Sequence, residues 1–156
     1  MKRLLFDCGT RDTLASFGLL VLRVSGGLMM LLGHGMGKYH QFDKLKDNWH
    51  VPHFLPFKFM SPPISLMATI GAEVGAAALI VIGLATRPAA FVLGFAMVVA
   101  AFEVLHDAPL FLGATSPAAK EPALLYLLIA VVIILAGPGK YSLDAAIYQD
   151  KKRRRW

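Results

Sequence analysis

Long apolar runs broken by short polar stretches set the pattern of this chain. They extend over about Leu14 to Gly35, Ile64 to Leu84, Pro88 to Leu105 and Pro122 to Ala136. Each reaches or approaches the ~20 residues with which an α-helix crosses a hydrocarbon layer of ~30 Å, the fourth being the shortest. The pattern predicts an all-α fold: an integral membrane four-helix bundle over residues 1–146, followed by a basic tail over 147–156. Local signals agree with these limits. Asp12 or Thr13 stands where the first helix needs a cap, Pro88 suits the first turn of the third, and Gly137, Pro138 and Gly139 stop the fourth. The longest connection, 37–63, mixes Tyr39, Trp49, Phe54, Phe57 and Phe59 with His40, His50, His53 and lysines, and is divided by Pro52, Pro56, Pro62 and Pro63. It is expected to be an interfacial turn or short helix at headgroup level.

Polar residues inside the apolar runs carry the candidate chemistry. At ~100° per residue, Arg23, His34 and Lys38 fall within about 60° of one another and form one stripe on the first helix. An arginine at that depth costs at least ~2.5 kcal/mol in hydrocarbon, so it needs a partner or a water-filled cavity. Antiparallel threading puts Arg23 roughly 10 Å and Glu73 roughly 16 Å from the same boundary. Glu73 is therefore the expected partner, in a buried ion pair that either fixes helix register or relays protons. Gly71 and Gly75 form a G-x-x-x-G pair on nearly the opposite side of the same helix and offer a close approach to another helix or a second subunit.

The same threading gathers His34, Glu103, His106 and Glu121 at the other boundary, with Tyr126 on the fourth helix. Several ligands suit that layer. Two histidines and two carboxylates are metal-ligand types, with His34 and His106 the candidate nitrogen donors. Only Glu103 and His106 show the Glu-x-x-His spacing, so a di-iron site is not indicated. Two histidines can also hold a haem from both faces. A quinone-type head group needs only a polar pocket at that depth, contacted by His34, Glu103 or Tyr126.

Composition and charge refine this picture. Hydrophobic residues make up 56% of the chain and charged residues 17%, gathered in blocks, and net charge is +6. Lys2, Arg3, Arg11, Arg87, Lys140 and the run Lys151 to Arg155 fall on one side of four spans, while Lys38, Lys44, Lys46, Lys58 and Lys120 fall on the other. The positive-inside rule then puts both termini in the cytoplasm. The basic tail reads as topology anchor and contact with anionic lipid headgroups, not as a nucleic-acid site. Asp7, Arg11 and Asp12 interrupt the beginning before a signal-peptide core forms, so the first span is expected to be retained. Cys8 is the only cysteine, which excludes an internal disulfide. No G-x-S-x-G, Walker loop, Rossmann fingerprint or C-x-x-C occurs, which argues against soluble-enzyme chemistry.

Taken together, Leu22, Arg23 and Gly27, then Gly33, His34, Gly35 and Lys38, then Glu73, then Gly83, Leu84, Thr86 and Arg87, and finally Gly137-Pro-Gly-Lys-Tyr-Ser-Leu-Asp144 resemble the DoxX family. The resemblance runs from the first span to Asp144, and its closing octapeptide is its most specific part. It implies a small four-helix protein of the bacterial inner membrane, associated with quinol oxidase, thiosulfate:quinone oxidoreductase or other membrane oxidoreductase assemblies. Family membership predicts fold better than function. The leading expectation is a membrane subunit of a respiratory or sulfur-linked oxidoreductase that contributes a quinone-facing pocket or a docking surface, with no complete active site in this chain. In that reading Arg23 and Glu73 set the buried electrostatics, while His34 with Glu103 or His106 contacts the head group. The alternatives are a non-catalytic accessory subunit of a larger complex and a small-solute or lipid transporter. Four spans without an inverted repeat suit alternating access poorly.

Overall fold

Apolar side chains on the outside and alanines on the inside define how the helices pack. The computed structural model describes residues 9, 10, 12–113 and 118–147; Lys2, Arg3, Cys8, Arg11 and the basic tail, with the charge argument that rests on them, lie outside the described residues. Among the described residues all regular structure is helical. Helix α1 spans Thr13–His40, α3 Pro62–Ile82 and α4 Thr86–Val104, and these three are long and apolar enough to cross a membrane. The short helix α2 (Phe42–Leu45) follows α1, and α5 (Glu121–Ala136) is a shorter apolar helix. Helix α4 packs along α5 and against α3, while α1 lies against α3 and α5. Between them sit Ala72, Ala76, Ala77, Ala89, Ala90, Ala101, Ala123 and Ala130, small residues that let helix backbones approach closely. Met30, Leu66, Ile80, Leu93, Met97 and Ile133 join them, while many other large apolar side chains face outward: Leu14 is 80% exposed, Phe91 66% and Leu135 76%. An apolar exterior of this extent is the surface of a multi-pass membrane protein.

Asp12 caps α1, its carboxylate accepting from the Ala15 N–H at 2.7 Å. Helix α1 runs beyond the expected end at Gly35 to His40, because glycine does not stop a helix whose backbone can be satisfied only within the segment. Helix α1 contains a widened π-helical turn, Leu31–Gly35. Two more such turns occur, at Gly71–Ala76 in α3 and Ala100–Val104 in α4. His34, Glu73 and Glu103 lie one in each. Such turns add a residue to a helix, and they gather at functional sites.

The register of α1 on α3 is fixed by two glycines. A β-carbon on Gly27 would stand 2.6 Å from Val81 Cγ2 and 3.2 Å from the Ala77 carbonyl oxygen, and one on Gly35 would stand 2.7 Å from Val74 Cγ2 and 3.0 Å from the Glu73 backbone. Gly27→Val is expected to destabilise the protein by about 1–3 kcal/mol through this overpacking. Gly18→Ala, with nothing within 4 Å of the added carbon, provides the control. Thermal unfolding of the two variants in detergent checks the difference. Gly71 and Gly75 likewise meet nothing within 4 Å, so among the described residues their face of α3 is unoccupied.

Candidate functional site

Two polar centres lie along the α1–α3 contact, one at each end. The first surrounds the turn between α3 and α4. Helix α3 ends in a Schellman motif in which Gly83, at φ 74°, donates to the Ile80 carbonyl at 3.2 Å and Leu84 donates to that of Leu79 at 3.0 Å. The buried guanidinium of Arg23 then covers the end of the helix. Its Nη1 donates to the carbonyls of Ile80 at 3.0 Å and Val81 at 2.9 Å, and its Nη2 donates to the Tyr141 carbonyl. A cation at a helix C-terminus meets the negative end of the dipole and unsatisfied carbonyls together. Asp144 serves the other side of the turn, accepting from the N–H groups of Ala85 and Thr86 and from Thr86 Oγ1, each at 2.8 Å. The Asp144 carboxylate also interacts electrostatically with Arg23. The octapeptide that ends in Asp144 thus ties α1, α3 and α4 together.

This arrangement corrects the expected Arg23–Glu73 pair. The α1–α3 register sets Gly35, not Arg23, beside Glu73. Twelve residues at ~1.5 Å put Arg23 about 18 Å further along. Side chains on a helix lean toward its N-terminus, so Arg23 reaches away from Glu73 while Lys38 leans back toward it. Glu73 accordingly pairs with Lys38, both carboxylate oxygens accepting from Nζ. The Glu73 side chain is 6% exposed and that of Lys38 24%.

The Lys38–Glu73 pair forms part of the wall of a cavity of about 530 Å³ between the helices. Its other walls are largely apolar, with Met30, Ala72, Phe95 and Met97 from the helices. The connection 41–61 folds over it. Trp49, His50, Pro52 and Phe57 reach the cavity from this segment. The Ser65 hydroxyl donates to the His50 carbonyl at 2.6 Å, and Phe57 packs on Phe95 with ring centres 5.4 Å apart and planes tilted by 37°. Trp49 lies with its ring 5.9 Å from Lys38 Nζ. On another side His34 and Tyr126 meet edge to face, ring centres 5.5 Å apart. The same two residues line a groove with Leu28, Met29 and Leu32, all on the apolar outer face of α1. His34 and Tyr126 therefore border both the cavity and the lipid-facing surface.

The expected layer of His34, Glu103, His106 and Glu121 is not assembled. His106 bonds its neighbour Asp107, Nδ1 to Oδ2 at 3.0 Å, and Glu121 accepts from the Leu112 N–H at 3.3 Å. Neither of these contacts involves His34. Glu103 instead meets His53, whose Nδ1 lies 3.1 Å from Oε2, with His50 Nε2 at 3.8 Å. In the sequence alone these two histidines belong only to the aromatic connection. The His-x-x-His spacing about Val51 and Pro52, on a segment bound to fold back beside Glu103, was the available signal.

The fold and site define a multi-pass helical membrane protein with a partly buried Lys–Glu pair beside a cavity between its helices. A family model described as DoxX matches residues 18–106, and the chain belongs to the DoxX family. The matched region holds Arg23, His34, Lys38, Glu73 and Glu103, whereas α5 and the octapeptide to Asp144 follow it. No curated protein and no solved structure matches the chain.

Proposed function

We propose that the chain is a quinone-binding membrane subunit of a respiratory or sulfur-linked oxidoreductase. In this reading it is a four-span bundle of the bacterial inner membrane with both termini in the cytoplasm. One observation carries the proposal: the cavity pairs a polar group, Lys38–Glu73, with apolar walls and borders an apolar outer groove at His34 and Tyr126. Its volume falls within the ~300–1,000 Å³ usual for small-molecule sites. A quinone has matching chemistry, a flat ring with two carbonyls joined to a long apolar tail. Lys38 donates toward a carbonyl, Glu73 holds that ammonium in place, and the Trp49 and Tyr126 rings offer flat apolar contact. The groove of Leu28, Met29 and Leu32 suits the tail. When bound, a quinone supplies a two-electron, two-proton redox couple, and Glu73 and His34 are the groups placed to hold protons beside it.

Organic extraction of the protein purified in mild detergent, followed by quinone quantification, tests this directly. Near-stoichiometric quinone is expected, falling at least about tenfold in Lys38→Met, since a hydrogen bond to a charged group contributes ~1.5–3 kcal/mol. Wild-type protein free of quinone that also fails to take up added quinone contradicts the proposal.

A second reading, a non-catalytic accessory subunit, is favoured by the Arg23 and Asp144 contacts, which end on backbone and hold helices together. It predicts that Lys38 and Glu73 can be replaced as a pair without loss of oxidoreductase activity.

A further inference from the structure

The cluster formed by His50, His53 and Glu103 has no part in the quinone reading. It joins two imidazoles from the connecting segment to a carboxylate on the π-helical turn of α4. One ligand-type atom from each lies within 4.8 Å of the others. Around a tetrahedral ion with bonds of ~2.0–2.1 Å, neighbouring ligand atoms stand about 3.3–3.4 Å apart. The two distances to Glu103 Oε2, 3.1 and 3.8 Å, bracket that value.

Two further features favour an ion over a simple hydrogen-bonded contact. His50 Nε2 is buried and makes no hydrogen bond among the described residues, although it lies 3.8 Å from the carboxylate oxygen. A buried ring nitrogen without a partner is costly unless something supplies one. The His50 backbone is also held by the Ser65 hydroxyl, and the ring stands edge-on to that of His53 with centres 5.4 Å apart. The His53 side chain is 83% exposed, which leaves an entry route from outside.

We propose that His50, His53 and Glu103 bind a divalent transition-metal ion of the borderline class, such as Zn²⁺. Imidazole and carboxylate donors suit these ions, and three protein ligands leave a coordination position for water or an added ligand. The ion would clamp the segment over the cavity to α4, and through His50, which lines the cavity, it stands at the cavity's edge. The site does not depend on the quinone reading, because its three ligands are present whatever fills the cavity.

The test uses the full chain, purified without a histidine tag, treated with chelator and titrated with Co²⁺ as an optical probe and then with Zn²⁺ as competitor. One equivalent of Co²⁺ with visible ligand-field bands is expected, displaced by Zn²⁺. Zn²⁺ is also expected to raise the thermal unfolding midpoint. His53→Ala, at an exposed position that does not threaten folding, and Glu103→Gln are each expected to weaken binding at least tenfold and to abolish the Zn²⁺ stabilisation. His106→Ala, exposed and paired with Asp107, is expected to bind as wild type does. Absence of stoichiometric binding, or binding unchanged by His53→Ala and Glu103→Gln, overturns the site and leaves the quinone reading untouched.

Discussion

Arg23→Ala is expected to deplete the folded protein recovered from membranes. The substitution leaves the carbonyls of Val81 and Tyr141 without the guanidinium that donates to them, and leaves that of Ile80 with the Gly83 N–H alone. It also takes the cation away from Asp144. Hydrogen bonds to a charged group contribute roughly 1.5–3 kcal/mol, a large part of the ~5–15 kcal/mol that stabilises a typical domain. Arg23→Lys is expected to recover only part of the loss, because one ammonium lacks the planar fork that reaches acceptors on two segments. Size-exclusion profiles and thermal unfolding in detergent check both variants. Wild-type stability of Arg23→Ala would show that the guanidinium is not what holds this turn.

The second large effect concerns Lys38 and Glu73, whose burial is unequal. Lys38→Met leaves a carboxylate at a 6% exposed side chain without its cation and is expected to destabilise by about 3 kcal/mol or more. Glu73→Leu costs less, since the partly exposed lysine can carry its ammonium toward solvent. The double variant Lys38→Met with Glu73→Leu is expected to regain most of the stability, as apolar replacements for a buried ion pair often do. Stability and function then separate: the restored double variant should still lack bound quinone. A full double-mutant cycle, with unfolding and quinone content measured on the same preparations, gives both answers. If the double variant is stable and retains its quinone, the pair serves only to fix helix register.

The helices were legible in the sequence because blocks of apolar residues have no other use at that length. Asp12 as a cap and the stop after Ala136 were legible too, since each is local chemistry. Pairing across helices was not. Depth estimates treat a residue as a point on an axis, whereas the lean of each side chain toward its helix N-terminus moves arginine and lysine by most of a turn. That lean, with Gly27 and Gly35 setting the register, gave Glu73 to Lys38 and Arg23 to the end of α3. The π-helical turns were equally hidden, because no residue type announces one. His50 and His53 were visible as histidines, but their meeting with Glu103 depends on how the connecting segment folds over the cavity.

The central claim is that the cavity beside Lys38–Glu73 takes a quinone, and Trp49 offers a direct probe of it. The chain has two tryptophans, so Trp156→Phe leaves Trp49, on the cavity wall, as the sole tryptophan. Titration of this variant with a short-chain quinone, which quenches indole emission at close range, is expected to give saturable quenching that weakens at least about tenfold when Lys38→Met is added. Quenching that rises linearly without saturation, or that is the same with Lys38 replaced, would contradict the claim.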